Sequence, residues 1–485
     1  MNECLFSKSQ IREFEEYLFE HEIISSDKLK EKAAKSCEKF ILKYFSSKKN
    51  VIIFVGKGIN GEDGVLLSRL LLNSQNNYKI TLFFIDKSSE KSYKNNHADL
   101  EVFDTCGQLD LSVFDLIIDC IFGIGLNRCI DKKLTELIIQ INQSSLPIIS
   151  IDMPSGLNAD NGCVMGSAVK ATHTLTFLGL KFGQFTFQGL EFSGKVSLFD
   201  FGLGHLLHKF CKSPSARLLL PKIINELIPY RQQHMYKNMN GHTLVIGGDT
   251  GMFGALILAA RSALMIGSGL VTVLTRKKHA SLVSLHQPEL ISYTFTKKRF
   301  SLLEQQIDTI VIGPGLGRNS WGTSVWNEVK KSKIKKVIDA DALYFLSKEN
   351  MTKEDCILTP HLMEASRLLN IPKIDIQHSP IESLKKLTKK YNAKVVLKGA
   401  GSLLADSKEN IYCTGLSEPA MASAGFGDVL SGITGGLISQ GMDADDALKL
   451  AVYLHVFISK KIVKESNKRV LLASDLLVEL QRNIF

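Results

Sequence analysis

Near the end of the chain, Gly425-Phe426-Gly427-Asp428 opens a small-residue helical pattern, VLSGITGGLISQG. Amides at a helix start can hold the charge that builds on a phosphoryl group in transfer, and an aspartate beside them can face the attacking hydroxyl. The plainer reading of Asp428 is an N-terminal cap that satisfies the helix amides. Upstream, Lys398-Gly399-Ala400-Gly401-Ser402 follows a predicted strand, Lys394–Leu397, and Gly313-Pro314-Gly315-Leu316-Gly317 follows another, Thr309–Ile312. Asp339-Ala340-Asp341-Ala342-Leu343 and Thr359-Pro360-His361 lie between them. Lys398 is either a phosphate-facing cation or a strand-end surface residue, and His361 either a ligand-facing group or a hydrogen-bonded core histidine.

A second set occupies the first half. After the apolar run Val51–Val55 comes Gly56-Lys57-Gly58-Ile59-Asn60-Gly61-Glu62-Asp63-Gly64, then the helical pattern VLLSRLLL. Strand, glycine-rich loop and helix together make either an anion site or a tight structural turn. Asp119 and Asp152 end two further predicted strands, with Gly123 and Gly125 between them. In open α/β sheets ligands lie outside the carboxyl ends of strands, where both carboxylates could converge on the loop. Alternatively they cap the turns that follow.

Elements able to place these residues are legible as short β-branched runs alternating with helical patterns. Val51–Val55, Ile80–Ile85, Leu116–Asp119 and Ile148–Asp152 form one series. Thr243–Ile246, Leu270–Leu274, Thr309–Ile312, Lys336–Asp339, Ile357–Thr359 and Lys394–Leu397 form another. The alternation predicts parallel α/β sheets covered by helices. Between the series, Leu206 to Arg231 is broken by Ser213-Pro214-Ser215, Pro221 and Pro229, which predicts domains over 1–208 and 225–485.

Bulk properties narrow the classes. A formal charge of +10, from 59 Lys and Arg against 49 Asp and Glu, is spread as scattered lysine, as over Lys28 to Lys39. Such a charge could favour nucleic acid, an anionic membrane or polyanionic small molecules, but no basic run carries stacking aromatics, so a lysine-rich solvated surface is the better reading. Nine cysteines (Cys4, Cys37, Cys106, Cys120, Cys129, Cys163, Cys211, Cys356, Cys413) form no CxxC pair and read as reduced thiols. The longest apolar stretch, Gly254 to Leu274, contains Arg261 and is rich in Gly and Ser, so no membrane span is predicted. Met1 to Glu20 lacks a signal-peptide pattern, and a cytoplasmic location is expected.

Gly56 to Gly64, DCIFGIG and IDMPSGLNADNG resemble the GxGNNGGDG, DAxxGxG and DxPSGxxxDxG motifs of the NAD(P)H-hydrate epimerases. The resemblance spans roughly residues 9–204, from SQIREFE to TLTFLGLKFGQF. It implies a Rossmann-like three-layer domain that interconverts the C6 epimers of hydrated nicotinamide. Ile59, Asn60, Gly61, Glu62 and Asp63, with Gly123, Ile124, Gly125, Leu126, Asn127, Arg128 and Cys129, would line the hydrate. Asp152 would be the acid/base, and Asn60, Asp119 and Ser155 would ligate potassium. Oxygen ligands with one carboxylate suit such a hard cation. Ile59 and Glu62 depart from the usual Asn and Gly, and Glu62 adds a carboxylate beside the expected phosphate unless it points to solvent.

From Lys237 to His455 the chain is similar to the ribokinase-like ADP- or ATP-dependent NAD(P)H-hydrate dehydratases, through GGDTGMFGA, HQPEL, VIGPGLGR, VIDADAL, ILTPHLMEASRLL, LKGAGSLLAD and the Gly-Asp segment. That likeness implies a ribokinase-like α/β domain. Ala255, Gly317, His361 and Asp428 would touch the hydrate; Lys398, Gly399, Ala400, Gly401, Ser402, Gly425, Phe426 and Gly427 would hold ADP or ATP, with magnesium. The implied reaction phosphorylates the C6 hydroxyl of the S hydrate, with Asp428 as base, then expels phosphate. Ala424 and Phe426 replace the usual Gly and Ser, though the amide at 426 persists if the benzyl group turns away. Glu418-Pro419 stands for Asn-Pro and puts a charge near the nucleotide. Alternatives are another ribokinase-like small-molecule kinase, or a nucleotide-binding protein with one silent domain. A homo-oligomer without nucleic-acid or membrane partners is expected.

Overall fold

The computed structural model describes residues 3–85, 101–103, 109–228, 233–234, 236–349 and 355–483. It divides into two compact units, Met1–Arg217 and Leu218–Phe485. Cys106, Pro229 and Arg231 fall outside the described residues.

Unit 1 is built on a seven-stranded sheet in the order Glu101–Phe103, Lys79–Phe84, Asn50–Val55, Leu116–Cys120, Ile148–Ile151, His173–Phe177, Lys195–Phe199. Every pairing is parallel. The apolar run in Asn50–Val55 is continuous because both faces are covered. Val51, Ile53 and Val55 pack with Ala34, Ile41 and Leu71 of helices Ser26–Tyr44 and Ile59–Asn73. Ile52 and Phe54 pack with Ile138 and Ile141 of helix Lys132–Gln143. From Asn50–Val55 the chain winds outward to one edge, then returns to lay Leu116–Cys120 on the opposite side. That reversal opens a crevice at the carboxyl ends of these two strands.

Unit 2 repeats the scheme. Its strands run Ile291–Thr294, Leu270–Thr275, His242–Ile246, Thr309–Ile312, Lys335–Ile338, Cys356–Leu358, Lys394–Leu397, Leu403–Ala405, Ile411–Cys413. The first seven are parallel. The last two are antiparallel, a departure from the all-parallel expectation made possible by the tight turn at Lys398–Ser402. The reversal here lies between His242–Ile246 and Thr309–Ile312. Helix Phe426–Ser439 lies against the sheet and helix Phe253–Met265. Its small residues permit close approach: a Cβ on Gly432 would sit 2.1 Å from the Ala259 carbonyl oxygen.

All ten predicted strands are present, with ends shifted by a residue or so. Cys4–Phe6, His173–Phe177, Lys195–Phe199 and Ile291–Thr294 were not anticipated, since each is short or carries polar residues. The proline-broken stretch holds only short elements, Gly204–Phe210, Ala216–Leu218 and Pro221–Leu227. Eight cysteines are free thiols, and no described helix is long and apolar enough to cross a membrane.

Candidate active sites

In unit 1 the helix after the glycine-rich loop begins at Ile59, so Ile59, Asn60, Gly61, Glu62 and Asp63 form its first turns. Ile59 is 64% exposed, whereas Asn60 and Asp63 are buried. Both amide atoms of Asn60, and Oδ1 of Asp63, lack a hydrogen-bond partner. Buried polar groups are rarely left so, and these mark where a bound group must satisfy them. Glu62 does not turn to free solvent. It pairs with Lys30 of helix Ser26–Tyr44, which neutralises the added carboxylate.

Asp152 follows strand Ile148–Ile151 with φ +66°, a left-handed conformation costing a non-glycine residue about 1–2 kcal/mol. Its surroundings impose it. Lys181 donates to Oδ1 at 2.6 Å, the Ile124 amide donates to Oδ2 at 3.0 Å, and the Gln184 side chain donates to the Asp152 carbonyl at 3.1 Å. Lys181 is itself buried and also donates to Thr176 Oγ1 at 2.7 Å and to the Phe177 carbonyl at 2.9 Å. Strain held this firmly at a strand's carboxyl end points to function. A Cβ on Gly123 would lie 2.8 Å from Asp152 Oδ2 and 3.6 Å from Asn60 Cγ, so the three expected segments converge.

Beyond the turn the expected lining thins. Leu126 is buried, while Gly125, Asn127, Arg128 and Cys129 are exposed, and the Gly125 carbonyl accepts from Lys8.

Asp119 is fully buried and accepts four donors: Ser150 Oγ at 2.8 Å, Ser155 N at 2.9 Å, Ser155 Oγ at 2.5 Å and Ile121 N at 3.3 Å. It therefore caps the following turn, as the simpler reading had it. Burial raises its pKa above the ordinary value despite those donors. The Asp119 carboxylate with its bonded Ser155 hydroxyl, and the orphaned Asn60 amide, are oxygen donors of the kind a potassium ion takes. Among the described residues no group of three His, Cys, Asp or Glu is arranged for a transition metal.

In unit 2, helix Phe426–Ser439 starts from Gly425 at φ +99°, the left-handed region where a Cβ would also strike Leu258 Cδ1 at 2.6 Å. Asp428 lies in the first turn behind the N-cap Gly425, and no hydrogen bond from a helix amide to its side chain is found among the described residues, against the capping reading. The carboxylate is half-buried among charged neighbours. Burial, then the charges of Asp339, Asp341 and Glu364, push its pKa up to about 7 against the pull of Lys398. Phe426 does turn away: it is buried against His455, whose Nε2 bonds the Phe426 carbonyl at 2.9 Å.

Lys398 is no surface lysine. Its ammonium donates to Asp339 Oδ1 at 2.8 Å and lies 3.9 Å from Glu364 Oε2. A Cβ on Gly427 would sit 3.3 Å from Nζ, which puts the cation beside the helix start. Burial alone would lower its pKa, but Asp339, Glu364 and Asp428 outweigh that and raise it. Gly399, Ala400, Gly401 and Ser402 form a turn closed by Gly399 N donating to Ser402 Oγ at 3.2 Å. Glu418 caps its own short helix by accepting from Ala420 N at 3.1 Å, so its charge is spent locally.

His361 is half-exposed and caps helix Leu362–Leu369, where Nδ1 accepts from Met363 N at 3.1 Å. With Nδ1 an acceptor, a neutral ring carries its proton on Nε2. Gly317, at φ +74°, donates to Asp341 Oδ2 at 2.9 Å, and Ala255 is half-buried on helix Phe253–Met265. Sequence reasoning passed over Lys181, Asp339 as an ion-pair partner, Glu364 and Glu15. Only LKFG among its glycines hints at Lys181, because a lysine in a fully apolar run must have a buried partner.

Comparison with known proteins agrees with this geometry. A family model described as NAD(P)H-hydrate dehydratase matches residues 243–482, and one described as YjeF-related protein N-terminus matches residues 26–183. The bifunctional NAD(P)H-hydrate repair enzyme Nnr of Coxiella burnetii is 34% identical, over 98% of this chain and 98% of that one. The Escherichia coli enzyme of the same name is 31% identical over 89% of this chain and 84% of its own. Among solved structures, the ADP/ATP-dependent NAD(P)H-hydrate dehydratase of Bacillus subtilis co-crystallized with ATP/Mg2+ is 27% identical. It has a TM-score of 0.51, covering 55% of this chain and 96% of that one.

Proposed function

Given that the chain belongs to the bifunctional NAD(P)H-hydrate repair enzymes, we propose that unit 1 epimerises hydrated NAD(P)H at C6 through Asp152 and that unit 2 dehydrates the S epimer through Asp428. The pairing is chemically coherent. Hydration produces both epimers, and epimerisation returns the one the dehydratase does not use.

The observation that carries the dehydratase reading is the Asp428 carboxylate, unpaired and half-buried beside Lys398 at a helix start. With a pKa near neutrality it is matched to take a proton from the C6 hydroxyl as that oxygen attacks the terminal phosphoryl group of ADP or ATP. The amides of Gly425, Phe426 and Gly427 face the phosphate with Lys398, and the turn Lys398–Ser402 borders the nucleotide. Phosphate then leaves from C6 and the dihydropyridine ring is restored. Magnesium accompanies the nucleotide. In unit 1, potassium held by Asn60, Asp119 and Ser155 would supply a fixed positive charge beside the glycine-rich loop. The protein acts on free dinucleotides as a cytoplasmic homo-oligomer.

Purified protein incubated with mixed hydrate epimers, potassium and ADP or ATP should regenerate the full absorbance of reduced cofactor. Recovery of half the mixture would remove the epimerase assignment, and no recovery with either nucleotide would point to a different small-molecule kinase or a silent binding protein.

A further inference from the structure

Helix Lys8–Glu20 is fixed by a capping box between Ser7 and Gln10 and by the buried row Ile11, Phe14, Leu18. Alongside that row run Lys8, Arg12 and Glu15, spaced so that they share one face. Lys8 Nζ donates to the Gly125 carbonyl at 3.0 Å, and the Arg12 guanidinium lies 3.5 Å from where a Gly125 Cβ would stand. The face therefore runs along the Gly123–Gly125 turn and brings Glu15 to the Asp152 site.

Glu15 is half-buried and makes no hydrogen bond or ion pair among the described residues. Asp152 and Lys181 face it from the sheet, Asp63 from helix Ile59–Asn73, and Arg12 and Glu16 from its own helix. Burial, then the charge of Asp152, push its pKa up to about 7, with Lys181 and Arg12 pulling the other way. The two carboxyl groups are thus inequivalent. Asp152 is clamped between an ammonium and an amide, while no donor among the described residues hydrogen-bonds Glu15, and Lys181 and Arg12 only partly offset its burial. The orphaned amide of Asn60, buried in the same crevice, marks the place of a bound polar group.

We propose that Glu15 is the proton donor of the epimerase site, working with Asp152 as base. This rests on unit 1 being an epimerase. The hydrate is a hemiaminal: C6 carries a hydroxyl and is bonded to ring nitrogen N1. Asp152 takes the hydroxyl proton, the oxygen's electron pair makes a C6 carbonyl, the C6–N1 bond breaks, and N1 takes the proton of Glu15. The freed aldehyde rotates and presents its other face. N1 then adds to C6 while its proton returns to Glu15, and the oxygen recovers its proton from Asp152. Every atom and electron is conserved, and both residues end as they began.

The test starts from one purified hydrate epimer without nucleotide, with interconversion followed by chromatography from pH 5.5 to 9 and corrected for the uncatalysed rate. The wild-type rate should fall as pH rises through about 7. Glu15→Gln should be about 10²-fold slower in kcat with KM little changed, and should lose that alkaline fall. Glu15→Asp should recover part of the rate together with the fall, which a packing role would not restore. A Glu15→Gln protein as fast as wild type, or one that keeps the alkaline fall, overturns the donor alone. A wild-type protein that leaves the single epimer unchanged overturns the epimerase reading and the donor with it.

Discussion

Asp428 and Phe426 sit two residues apart and have opposite fates, one half-buried among charged neighbours and the other packed in the core. Because burial and neighbouring carboxylates lift the Asp428 pKa to about 7, the working base is lost as pH falls below that value. Dehydration, measured as kcat/KM, should therefore drop tenfold per pH unit on the acid side. Asp428→Asn should cost about 10²- to 10⁴-fold in turnover with an unchanged melting temperature. Phe426→Ala should do the reverse, lowering stability by about 3–5 kcal/mol in denaturant titration while leaving the KM for nucleotide close to wild type. Asp428, Lys398 and Asp152 were legible because Asp428 and Lys398 adjoin glycine-rich turns and Asp152 ends a predicted strand. Lys181 and Glu15 were not, since what gives them meaning is a partner 29 residues away for Lys181 and, for Glu15, a helix whose sequence shows only amphipathicity.

Among the elements, helix Phe426–Ser439 shows why its sequence is so poor in large side chains. Gly432 faces the Ala259 carbonyl and Gly436 faces Ile266, both at helix Phe253–Met265, while Gly435 faces Val311 of the sheet, so an extra methyl would push the helix off its neighbouring helix or off the sheet. Gly432→Val should both destabilise unit 2 and raise the nucleotide KM, because displacing the helix moves the Gly425–Gly427 amides with it; circular dichroism melting and initial rates would separate the two effects. The parallel strands were readable from runs such as VIIFV and TIVI, whose two faces are both covered. Cys4–Phe6 and Leu403–Ala405 were not, because three residues are too few to establish a period, and Lys195–Phe199 was not, because it carries Lys195 and Ser197 and is only partly buried. Their pairing is decided by distant neighbours instead.

At the scale of the molecule, the two crevices carry separate machinery, and their chemistry should separate cleanly. Asp152→Asn should leave the S epimer fully repairable while stranding the R epimer, and Asp428→Asn should still interconvert the two. Replacing potassium by choline should slow epimerisation but not dehydration of a pre-resolved S epimer, as read by chromatography and by cofactor absorbance. Net charge +10 suits polyanionic substrates, so both KM values should rise with ionic strength. In each unit the proposed anion site is made of glycine-rich turns and the opening of a helix, which has a consequence for how the chain can change over time. Donors supplied by the peptide bonds themselves survive almost any point mutation except one to proline. Motif letters such as those at 59 and 426 can thus drift without the enzyme losing its grip on phosphate, and inheritance of the activity is safer than a letter-by-letter reading would suggest.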